Sequence, residues 1–211
     1  MIMTHSDADR NIQLSSESAD HTRLVLVRAG RTDWSDQQRI QGNTDLPLST
    51  EGTEEVNRWI GDLKRVKIDL VYSSSVGPPA ETAGLISKAL KIKHRTQDDL
   101  AEIDLGLWQG MSIDDFKQKH AKVYKQWIEQ PGTIVAPEGE CVNDAQRRLA
   151  QAIEKIIDRN RGRCTAIVLG QISLALARRT REDWPMTEVW KRVREPQTWY
   201  EYHINSDMTE K

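Results

Sequence analysis

Two short runs without a polar residue, "LVLV" at 24–27 and "AIVL" at 166–169, constrain this chain most. Runs of that length fit strands covered on both faces, the condition of a parallel sheet with helices on each side. A third apolar stretch, "IDLVYSS" at 68–74, adds a strand, and a further strand lies in "IKHRT". "TWYEYHI" near the end alternates as an edge strand does.

Between the strands the apolar spacing changes to about 3.6. Ser49 caps a helix carrying Val56, Trp59, Ile60 and Leu63 on one side. Pro79 suits the first turn of a second helix, with Leu85, Ile86, Ala89 and Leu90. Ser112 and Asp115 form a capping box before Phe116, Val123, Tyr124 and Trp127. Val142, Ala145, Leu149, Ala152, Ile153 and Ile156 stripe a long helix, and "QISLALARR" and a segment around Trp190 make two more. Interleaved strands and helices predict an α/β fold, a three-layer α/β/α sandwich on a mostly parallel sheet.

The 211 residues suffice for one well-filled core. Residues 1–22 are polar and aperiodic and read as a flexible tail, 23–204 as the folded domain, and 205–211 as a second tail. No apolar run reaches a membrane-spanning length, and "MIMTHSDADR" lacks the basic-then-apolar order of a secretory signal. The net charge of -2 includes no concentrated basic face of the kind that binds nucleic acid. The densest basic run, "RRTR" at 178–181, reads as a solvated helix end. Cys141 and Cys164 make no disulfide framework, and the five histidines lack metal-ligand spacing. The expectation is a cytoplasmic protein without a cofactor.

Open α/β sheets bind ligands beyond the carboxyl ends of their strands. The tips are "VRAG", "YSSS" and "VLGQ". Arg28 ends the first strand and can offer a planar fork to phosphate or carboxylate, with Arg31 and Arg39 following in the loop. Equally, these arginines can pair with Asp33, Asp36 or Asp45.

"LVRAGRTDW", "RIQGNTDLPLSTEG", "LVYSSSVGPPAETA", "LAEIDLGLWQG", "PEGE" and "AIVLG", in that order, resemble the histidine phosphatase superfamily, whose fold is phosphoglycerate mutase-like. The resemblance covers roughly residues 23–204 and implies phosphoryl transfer through histidine. The family's opening Arg-His-Gly corresponds to Arg28, Ala29 and Gly30, so a methyl group stands where the nucleophile would be. Its second arginine falls on Pro78, and its second histidine on Gly170, with Gln171 beside it. Arg28 and Glu102, the latter matching the family's general acid, persist.

These departures imply a catalytically inactive member, not an enzyme, that binds a phosphate-containing or carboxylate small molecule through Arg28, Arg31, Arg39 and Glu102 in a regulatory or scaffolding role. Two alternatives stand beside it. One is an active phosphomonoesterase or mutase, and the other an interaction module with a vestigial pocket, contacting a protein partner or a second copy. Cys141, at a helix start, is the remaining thiol nucleophile to weigh, although no base accompanies it. The hydroxyls of Ser73, Ser74 and Ser75 likewise need a base. His94, His120 and His203 read as surface or packing residues.

Overall fold

A computed structural model describes residues 22–204. The expected tails lie outside the described residues, apart from Thr22, which opens the first strand. In chain order the elements are β1 (Thr22–Arg28), α1 (Asp33–Asp36), α2 (Thr50–Val66), β2 (Leu70–Ser73), α3 (Gly77–Leu90), β3 (Lys93–Thr96), α4 (Ile113–Lys119), α5 (Ala121–Glu129), α6 (Val142–Arg159), β4 (Cys164–Leu169), α7 (Gln171–Arg179), α8 (Val189–Val193) and β5 (Trp199–Ile204). Short 3-10 turns fill several connections.

The strands form one sheet in the order β3-β2-β4-β1-β5. The first four are parallel, and β5 runs antiparallel along β1 at the edge, as its alternation predicts. All six residues of β4 are buried. Successive strand residues point to opposite faces, so the apolar runs feed two cores. Val25, Val27, Val71, Ala166 and Val168 pack with α2 and α3, whereas Leu24, Leu26, Tyr72, Ile167 and Leu169 pack with the helices from α4 onward.

Local chemistry accounts for the helix boundaries. Ser49 accepts the Gly52 N–H at 3.0 Å and starts α2 where its cap signal places it. A Cβ at Gly52 would overlap the Arg31 carbonyl, so glycine lets α2 lie directly against the loop leaving β1. Ser112 accepts the Asp115 N–H at 3.0 Å and starts α4, making half of the expected capping box. The single helix expected from Phe116 to Trp127 is two, broken at His120, whose ring tilts against Phe116.

One expectation is reversed. Arg178, in the basic run read as a solvated helix end, is 4% exposed. Its guanidinium donates to Glu182 at 2.9–3.0 Å and to Glu195 at 2.6 Å, and lies 3.7 Å from the centre of the Tyr200 ring. It clasps α7, the segment after α8 and β5 together.

Candidate functional site

Parallel pairing sets Arg28 opposite Leu169, and the Ala29 N–H donates to the Leu169 carbonyl at 2.8 Å. The ends of β1 and β4 therefore lie side by side. Beyond them opens a cavity of about 680 Å³, a size that suits a small organic ligand. Arg28, Arg31, Arg39 and Glu102, the four residues singled out for ligand binding, all line it, as do Ala29, Pro78 and Gly170. Five cationic side chains face two carboxylates there; Lys117 and Arg194 complete the cations and Glu55 the anions.

Several anion-binding devices around this cavity already hold a carboxylate of the chain itself. Arg28 Nη2 donates to Glu55 Oε1 at 2.8 Å, with the guanidinium 5.4 Å from the Trp59 ring centre. Its other guanidinium N–H groups bond to no described residue. Arg31 pairs with Asp36, one of the partners foreseen for it. Arg39 donates instead to Gln37 Oε1 and the Gly110 carbonyl. At the start of α3, Pro78 and Pro79 carry no N–H, and the Gly77 N–H is taken by Asp45 at 2.9 Å.

Glu102 performs the same service for α7. Gly170 is the residue before that helix and has no side chain to cap it. Glu102 reaches across: Oε2 accepts the Ile172 N–H at 2.9 Å, and Oε1 accepts the Ser173 N–H at 2.9 Å and the Ser173 hydroxyl at 2.6 Å. The Ile103 N–H also donates to Oε1, at 2.8 Å. A Cβ at position 170 would overlap Glu102 Oε2, so this pose needs glycine there. Burial raises the Glu102 carboxyl above its usual range, against the opposing pull of these four hydrogen bonds.

The other nucleophile candidates are elsewhere. Cys141 starts α6, bonds to the Gly132 carbonyl and does not line the cavity. Ser73 does have an imidazole beside it, 2.8 Å from His94 Nε2, a pairing that the sequence reading did not foresee. Burial lowers the His94 pKa. Ser73 is wholly buried, however, and only its neighbour Ser74 lines the cavity.

Glu55 was also unforeseen. Its signal was faint: it stands four residues before Trp59, flanking the buried stripe of α2. Nothing local says that this flank faces the tip of β1. The second carboxylate oxygen of Glu55 is enclosed and has no hydrogen-bond partner.

Comparison with known proteins gives the site its context. A family model described as "Histidine phosphatase superfamily (branch 1)" matches residues 24–210. Phosphoserine phosphatase 1 of Hydrogenobacter thermophilus is 27% identical over 146 residues, 69% of each chain. Phosphoglycerate mutase-like protein 4 of Arabidopsis thaliana is 31% identical over 173 residues, covering 80% of this chain and 75% of its own. Among solved structures, Bacillus stearothermophilus YhfR superposes with a TM-score of 0.74 at 29% identity, over 80% of this chain and 83% of its own. The expectation that the chain is not an enzyme is corrected by these likenesses, since the relatives bear the names of a phosphatase and a mutase-like protein.

Proposed function

The chain belongs to the histidine phosphatase superfamily (branch 1), and from that premise we propose that it takes a phosphate monoester into the cavity beyond β1 and β4 and passes the phosphoryl group directly to water. The observation that carries this reading is the convergence on one cavity of Arg28, with guanidinium N–H groups that no described residue accepts, and Glu102, whose carboxyl burial raises. Arg28 holds the phosphate oxygens. Glu102 serves as the general acid: in its acid form it gives its proton to the ester oxygen as the P–O bond breaks. The attacking water forms the new P–O bond, and its proton leaves with the inorganic phosphate before another returns to Glu102.

Ala29 has no lone pair, so this route has no covalent intermediate at that position. Pro78 and Gly170 add no cation to the developing charge. Each missing donor costs about 100- to 1000-fold in rate, so turnover is slow.

Arg28 has to serve a ligand while paired with Glu55, and this fixes two opposite outcomes. Arg28→Ala weakens the binding of phenyl phosphate at least about tenfold, the worth of a charge-assisted hydrogen bond. Glu55→Gln removes the competing carboxylate and tightens it about tenfold. Titration calorimetry on the full chain reads both; a Glu55→Gln protein that binds more weakly than wild type would count against the competition.

The reaction is tested by following phosphate release from phenyl phosphate between pH 4 and 9. Slow release that declines as pH rises and disappears in Arg28→Ala is expected, with no acid-stable phosphoprotein. Release no faster than in buffer overturns direct hydrolysis, and a trapped phosphoprotein overturns the direct route.

A further inference from the structure

Two chemistries line the cavity. One is the polar floor at the strand tips. The other is a wall to which α5 contributes Tyr124 and Ile128, α7 contributes Ile172, and α8 contributes Trp190 and Val193. Resting on the phosphate-ester reading, we propose that the alcohol part of the ligand is apolar or aromatic and lies against this wall, so that the natural ligands are aryl or long-chain alkyl phosphates and not small polyhydroxylated ones.

The wall is built in advance. Trp190 Nε1 donates to the Trp127 carbonyl at 2.6 Å, and the two indole rings pack with centres 5.2 Å apart. Tyr124 is held edge-on to Phe116, with centres 6.4 Å apart, and the Lys117 ammonium lies 5.5 Å from its ring centre. Trp190 and Tyr124 are thus held in place before a ligand settles, which lowers a common cost of binding.

The five wall side chains offer little polar complementarity; of the polar residues beside them, Gln171 already donates to the Val193 carbonyl and Lys117 to Asp114, while Arg194 lines the same cavity. The indole N–H of Trp190 is already spent on Trp127, leaving the Tyr124 hydroxyl as the one side-chain polar group of the five named. A glycerol or sugar phosphate would lose water from several hydroxyls there and regain few hydrogen bonds. An aryl ester buries carbon against carbon instead. Ile128, a large apolar side chain, is 36% exposed, and covering it is favourable in proportion to the area removed from water.

The test measures dissociation constants of the full chain for inorganic phosphate, glycerol 3-phosphate, phenyl phosphate and 1-naphthyl phosphate, with 1-naphthol as the uncharged control. The expected order runs from glycerol 3-phosphate, weakest, to 1-naphthyl phosphate, at least about 30-fold tighter, as transfer of that much apolar surface implies. Ile128→Ser and Val193→Ser narrow the gap between the two esters. Equal affinities for the two esters, or an unchanged gap in both variants, overturn the apolar-wall proposal while phosphate binding itself survives. Binding of 1-naphthol as tight as that of its phosphate overturns the phosphate-ester reading and leaves the wall intact. Failure of every compound overturns both.

Discussion

Replacing Arg178 with alanine lowers the stability of the domain by about 3 kcal/mol, the lower end of what breaking a buried ion pair costs. The lower end applies because Glu182 and Glu195 remain 29% and 26% exposed and recover some hydration, whereas Arg178 itself is 4% exposed. For a domain of this size the midpoint of thermal unfolding falls by about 9 °C. Arg178→Met, which keeps much of the volume over Tyr200, separates the loss of charge from the loss of packing. A midpoint within about 2 °C of wild type for both variants would show that the clasp contributes little.

The same clasp has a defined pH dependence. Burial pushes the Glu182 and Glu195 carboxyls up, but the hydrogen bonds and charge of Arg178, joined by hydrogen bonds from Tyr202 to Glu182 and from Arg192 to Glu195, together outweigh it, and both end below the ordinary value of 4.5. Groups with depressed folded pKa values bind protons less readily when folded, so their stabilisation is present above 4.5 and fades as pH falls through the folded values. The penalty of Arg178→Ala is therefore full at pH 7 and shrinks toward pH 3. Urea unfolding at the two pH values measures the difference.

Glu102→Ala is the second large effect, again about 3 kcal/mol. It strips acceptors from the N–H groups of Ile103, Ile172 and Ser173 and from the Ser173 hydroxyl, and an enclosed donor without a partner costs about 1–3 kcal/mol. Glutamine recovers only part of this. Both Glu102 oxygens accept backbone N–H groups, so the amide nitrogen must face a donor. Here the pH sign is opposite to that of the clasp. A carboxyl raised by burial holds its proton more tightly in the folded chain, so its contribution is largest below 4.5 and declines as pH rises through the folded value. Chemical denaturation at pH 4 and pH 8 checks it; unaltered stability in Glu102→Ala would mean that α7 does not need this cap.

Gly170→His makes the same point from the other side. A side chain at 170 and the present position of Glu102 exclude each other, because the Cβ alone overlaps Oε2. An imidazole introduced at that place displaces Glu102 before it can add a cation to the cavity.

Much of the architecture was legible because it depends on near neighbours in sequence. The apolar runs of β1 and β4, the Ser49 and Ser112 caps and the stripe of α6 each declare their element within a few residues. The burial of Arg178 was not legible. Four residues rich in arginine look solvated until Glu195 and Tyr200, 17 and 22 positions later, close over them. Glu55 is a similar case, since its partner lies 27 residues earlier.

The sequence by itself determined the layering and the strand edges, because hydrophobic periodicity is a local property that packing rewards directly, and it singled out Arg28, Arg31, Arg39 and Glu102 among the side chains that gather at the cavity. Only the tertiary structure decided the electrical state of that cavity. Whether an arginine or a helix start is free to meet an anion depends on which carboxylate the fold carries to within about 3 Å of it, and at Arg28, Gly77 and Ile172 the fold carries Glu55, Asp45 and Glu102. Charge interactions are set by distance across the folded chain, and distance along the sequence does not encode it.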